Sequence, residues 1–183
     1  MTNQLEAFDL HPYKSKFGTK VIKSRIKETG KQIEKLEQEA KRLVTTEHKD
    51  LVKNIAGIAG VGESTAIVIT AVTGGFVNFE NAKQLSSYFG CCPRITESGT
   101  SVRSRGAISK IGHAGIRTRL YMCSLSAIRY NIPCKKLYER LLEKVKAKKI
   151  ALMAVINKLI RQILAIAISG ETFSNSWEKR LVF

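Results

Sequence analysis

Between residues 22 and 43 the apolar or small positions fall at Ile22, Ile26, Thr29, Ile33, Leu36, Ala40 and Leu43, in alternating steps of four and three. That spacing holds one side chain per turn on a single helix edge, and Glu and Lys fill most of the remainder. It predicts a long coiled-coil-like helix over residues 18–46, with Thr29 and Gly30 weakening the middle of its seam. The same pattern also suits a helix packed on its own globular domain. Residues 1–17 are mixed in character and read as a flexible N-terminus.

Further along, LVKNIAGIAGVGESTAIVITAVTG (51–74) places two apolar helical stretches around Gly60-Val61-Gly62. This is the pattern of a helix-hairpin-helix. Glycines let the backbone turn sharply, and the amides at the start of the second helix can hold a phosphate. A plain helical turn has about the same claim on these residues. NFENAKQLSSYFG then reads as a short helix with Asn78 as N-cap and Gly90 at its C-terminal end. Phe79, Leu85, Tyr88 and Phe89 are its expected core contribution.

From Ala114, residues Ile116, Leu120, Cys123, Ala127 and Tyr130 repeat at helical spacing and should face the core. Pro133 suits the first turn of a following helix. The stretch IALMAVINKLIRQILAIAI (150–168) is apolar on nearly every side, apart from a stripe of Asn157, Lys158, Arg161 and Gln162. Each central charge in a bilayer costs about 2.5–3.5 kcal/mol, so a core helix with one exposed edge fits better than a membrane span. The fold class is therefore all-α, with residues 47–170 as a helical domain and 171–183 as a tail that either packs through Phe173 and Trp177 or frays.

Charge changes the picture. Thirty-one Lys and Arg against fifteen acids leave a formal charge of +16, which favours a polyanionic partner, nucleic acid above all. The polar N-terminus lacks an apolar signal region, and the four cysteines form no CxxC pair. A cytoplasmic protein with reduced, mostly buried thiols, no membrane partner and no metal site of its own is the expectation.

The densest chemistry lies in RITESGTSVRSRGAISKIGHAGIRTR (94–119), with six cations, one acid, four serines and four glycines. A flexible, hydroxyl-rich, cationic loop can grip phosphates. Ser98 is a candidate nucleophile, and Arg94, Arg103 and Arg105 lie near it in sequence to neutralise the charge that gathers on an attacked phosphodiester. Lys110, Arg117 and Arg119, with Gly60 and Gly62 of the hairpin, complete the candidate nucleic-acid contacts. Against this, a Ser-Gly pair is usually just a turn. His113 is a candidate proton shuttle, although such a residue more often packs or caps.

The run GIAGVGESTA, NAKQLSSYFGCCPRITESG and SKIGHAGIRTRLYMCSLSAI, in that order, resembles the C-terminal domain of the Piv/MooV-related, DEDD-type insertion-sequence transposases (the IS one-ten family) over residues 15–170. The resemblance implies DNA as substrate, a structured guide RNA as partner, and Ser98, within Glu97-Ser98-Gly99, as the nucleophile for strand cleavage and exchange. It also implies a RuvC-like nuclease half whose carboxylates hold divalent metal. With only Asp9 and Asp50 as aspartates, this chain is expected to lack that half and to be idle alone. Homo-oligomerisation through residues 18–46 is expected. The alternative is a non-catalytic helix-hairpin-helix protein that binds nucleic acid through the hairpin and basic loop alone.

Overall fold

The structure, a computed structural model, describes residues 6–7, 15–94, 97–98, 102–103, 107–109, 111–144 and 147–174. At 94, 97, 98, 102, 103 and 107 only the backbone is described. The fold is all-α, as the periodicity predicts, and falls into two compact units, Met1–Leu43 and Val44–Phe183. Helix α1 (Lys16–Ala56) is longer than the predicted run and leaves helical geometry at His48, where φ is −131° and ψ 35°. In the first unit its seam is half-buried at Ile22, Ile26 and Thr29. Ile33, Leu36 and Leu43 are exposed, Leu36 to 70%.

In the second unit the end of α1 buries Val52 and Ile55, and the turn after it buries Ile58 and Val61. Helix α2 (Glu63–Thr73) buries residues on most of its faces and stops at Gly74, which takes the left-handed conformation that closes a helix. Helix α3 (Ala82–Tyr88) is capped by Asn81, not by Asn78 as the sequence suggests. The reason is Gln84. Its backbone N–H donates to the Asn81 side chain at 2.9 Å, while its own side chain accepts from the Asn81 N–H, closing a capping box.

Helix α4 (Ala114–Tyr130) buries Ile116, Leu120, Cys123 and Ala127 as expected. Tyr130 departs from the expectation and is 68% exposed, because the helix ends there and Asn131 turns inward in its place. Helix α5 (Ile132–Glu143) follows, with Pro133 in its first turn. Helix α6 (Lys148–Ser169) is the centre of the core and packs against α3, α4 and α5, while α2 packs against α4.

Among the described residues α6 is the one helix long and apolar enough to cross a membrane, yet more than half of its apolar window is buried in this domain. Leu159, Ile160 and Ile163 are almost wholly buried. Each contributes about 1.5–3 kcal/mol by leaving water, and truncation of one to Ala is expected to cost about 2–5 kcal/mol. Phe173 packs half-buried on this core, and Trp177 lies outside the described residues.

Candidate nucleic-acid interface and serine hairpin

The basic segment is not a loop throughout. Strands β1 (Pro93–Arg94) and β4 (Ala107–Ile108) pair antiparallel, with Pro93 opposite Ile108 and Arg94 opposite Ala107. Between β1 and β4 along the chain, β2 (Glu97–Ser98) pairs antiparallel with β3 (Val102–Arg103) in a second ladder, with Glu97 opposite Arg103 and Ser98 opposite Val102. The ladder continues past β4 through the Ser109 N–H, which donates to the Cys92 carbonyl at 2.9 Å. Two short antiparallel ladders therefore carry the backbone of Arg94, Ser98 and Arg103. Directly opposed residues in such a ladder have Cα atoms about 4.5–5.5 Å apart, so Arg103 sits one register step from Ser98. Arg105 and Lys110 lie outside the described residues.

The base of the hairpin is fixed by two close backbone approaches. Gly90 (φ 70°) and Gly112 (φ 121°) both take the left-handed region. A Cβ on Gly90 would collide with the Ile111 carbonyl, and one on Gly112 with the Tyr88 carbonyl. Arg117 belongs to this framework, since its Nη1 donates to the Phe89 carbonyl at 3.1 Å. His113 packs on Tyr88, with ring centroids 5.2 Å apart and Nε2 3.4 Å from the Tyr88 hydroxyl. That hydroxyl in turn donates to the Val72 carbonyl at 3.2 Å. His113 thus acts in packing here, and it precedes α4 without a side-chain capping bond.

The second group of predicted residues meets at the turn between α1 and α2. Gly60 has φ of 102°, and a Cβ there would come within 2.8 Å of the backbone and side chain of Ala127. Only glycine fits, both for conformation and for space. Gly62 is different. It is the extended N-cap of α2, with open space beside it and no side-chain cap on the helix amides. Arg119 reaches this corner from α4, its Nη1 donating to the Ser64 hydroxyl at 3.1 Å. A guanidinium beside uncapped helix amides suits a phosphate, although Glu63 in the first turn opposes an anion.

Sequence reading missed the pair that locks this corner to the core. Asn131, fully buried, caps α5 by accepting from the Cys134 N–H at 3.2 Å. Its Nδ2 donates to the Ala59 carbonyl at 3.3 Å, in the turn, and to Gln162 Oε1 on α6 at 3.0 Å. Gln162 was placed by its sequence on an exposed polar edge, but it is only 2% exposed. The signal available was Asn131 two residues before Pro133, an N-cap pattern.

The cysteines are free thiols, three of them buried and Cys92 partly so. Burial pushes the Cys91 thiol up to about 11 against the pull of Arg117, and the Cys134 thiol up to about 12 against that of Lys158. Both are neutral packing groups at physiological pH, not nucleophiles. Among the described residues no three His, Cys, Asp or Glu side chains gather. These residues do not fit the divalent metal that the resemblance implies for complete enzymes.

The stretch that carries the Gly60 turn, the serine hairpin and the Asn131 corner is the part of the chain that resembles known proteins. Residues 52–139 match the family model described as Transposase IS116/IS110/IS902 family. Two curated relatives are similar as well. The pilin gene-inverting protein of Moraxella lacunata is 30% identical over 120 residues, which cover 65% of this chain and 37% of the relative. That of Moraxella bovis is 29% identical over the same extent. The chain thus spans little more than a third of the length of these relatives.

Proposed function

We propose that this chain is the helical, serine-bearing domain of an insertion-sequence transposase and acts on DNA in the cytoplasm. The observation that carries the reading is the family match over residues 52–139, which includes Glu97-Ser98-Gly99, with Glu97 and Ser98 in strand β2. In the proposed step the Ser98 hydroxyl loses its proton and its oxygen bonds to a backbone phosphorus. The bond to the departing deoxyribose oxygen breaks, and that oxygen leaves as a hydroxyl. The link is a phosphodiester, so its energy is conserved for rejoining to a second strand. Arg94, Arg103 and Arg105 neutralise the phosphate oxygens.

Gly60, Gly62, Lys110, Arg117 and Arg119 complete the proposed contact surface, within which Arg119 at the uncapped α2 terminus is the best placed and Arg117 mainly holds the hairpin base. A structured guide RNA is a further partner that the +16 charge would accommodate. Residues 18–46 serve as a self-association helix, since Ile33, Leu36 and Leu43 present an exposed apolar seam. Any metal-bearing carboxylates come from outside this chain. The test is strand exchange with a full-length relative supplied: Ser98→Ala in this chain should abolish its contribution while leaving DNA binding unchanged. Unaltered exchange would leave only the non-catalytic binding reading.

A further inference from the structure

A cavity of about 570 Å3 opens in the Val44–Phe183 unit between α3, the start of β1, α5 and α6. Sites for small ligands and cofactors span about 300–1,000 Å3, so this one has room for a nucleotide. Its lining includes an apolar patch of buried Pro133 with half-buried Leu137 and Ala154, beside the buried polar side chains of Ser86 and Gln162. Lys83, Arg140, Lys158 and Arg161 also line it, and no acid stands among its described lining residues. Lys83, Arg140 and Arg161 are exposed at its edge.

Two parts of this lining suit two different chemistries. An apolar patch takes the flat face of a base, and a cationic edge takes a phosphate. A duplex cannot use that patch, because its bases are stacked and paired. Pro93, which also lines the cleft, begins the hairpin that carries Ser98. A strand leaving the cleft is therefore next to that hairpin. We propose that this cleft receives one unpaired nucleotide of a nucleic-acid strand, its base on the Pro133–Leu137–Ala154 surface and its phosphate among the cations. The inference rests on the nucleic-acid-binding part of the reading above, not on Ser98 as nucleophile.

The test uses the full chain and a single strand of about 12 nucleotides carrying one 2-aminopurine, with its duplex as comparison. No aromatic side chain stands among the described residues lining the cleft, so an inserted 2-aminopurine loses its stacking partners and its emission should rise several-fold. Ala154→Phe fills the cleft without changing charge. It should abolish that rise and weaken single-strand binding about tenfold, with duplex binding unchanged. Arg140→Ala with Arg161→Ala should weaken single-strand binding more than the equal charge change Lys20→Ala with Lys53→Ala. If Ala154→Phe does not fold, as read by its melting, the arginine pair and the emission decide.

A wild-type chain that binds the strand without a rise in emission overturns the inference, as does unchanged binding by Ala154→Phe. A free mononucleotide that displaces the strand at equal concentration would reassign the cleft to a free ligand and also overturn it. A chain that binds neither strand nor duplex removes the nucleic-acid reading itself, and this inference with it.

Discussion

Asn131 and Gln162 bind each other in the core, with Asn131 Nδ2 donating to Gln162 Oε1 at 3.0 Å and Gln162 Nε2 to Asn131 Oδ1 at 3.5 Å. Three elements meet at this pair: the Gly60 turn through the Ala59 carbonyl, the start of α5 through the Cys134 N–H, and α6 through Gln162 itself. Buried amides leave little latitude, because each unmet group costs about 1–3 kcal/mol. Gln162→Leu should lower stability by about that amount. Asn131→Leu should lower it more, since a helix cap worth about 1 kcal/mol is lost as well. Urea denaturation of the two single variants and the double variant reads this directly. A double variant no less stable than Asn131→Leu alone would show that the two residues act as one unit.

Gly60 and Gly62 separate in the same kind of measurement. Gly60→Ala meets both a positive φ and the Ala127 backbone, and it should destabilise by about 1–3 kcal/mol or more. Gly62→Ala meets open space at a normal φ of −83° and should cost less than about 1 kcal/mol. Equal losses would contradict the account of this turn.

Arg117 and Arg119 are two residues apart on α4 and differ in use. Arg117→Ala removes the bond to the Phe89 carbonyl beside the Gly90 approach, so the melting temperature should fall by a few degrees, equivalent to about 1 kcal/mol. Arg119→Ala touches only an exposed hydroxyl and should leave melting alone while reducing the salt slope of DNA binding by about one. Melting and a salt titration on both variants distinguish framework from contact.

The α1 seam predicts self-association. Light scattering should give a larger mass for the full chain than for one lacking residues 18–46, and Leu36→Glu should act like the deletion by placing a charge in the seam. Monomers in every case would remove this part of the reading.

Helices were legible wherever apolar positions repeat at helical spacing, as at Ile116, Leu120, Cys123 and Ala127. Polar residues that turn inward left no such trace. Asn131 and Gln162 look like surface residues until three elements converge on them, and Tyr130 looks like core until the helix ends. The Asn81 cap needed Gln84 three residues on, a pairing that Asn78 lacks. The serine hairpin was read as a loop because strands of two residues, rich in Ser, Arg and Gly, show no alternating pattern. Its anchoring by Gly90 and Gly112 depends on backbone contacts that composition does not encode.

The proposed attack of Ser98 on a phosphodiester leaves a covalent trace on the protein. The most direct measurement is to trap the reaction with a nicked or mismatched DNA substrate and a full-length partner, digest the protein, and find the peptide that carries a nucleotide. The account predicts a nucleotide mass on the peptide containing Ser98 and none with Ser98→Ala. A nucleotide on any other residue of this chain, or strand exchange that proceeds with Ser98→Ala, would contradict it.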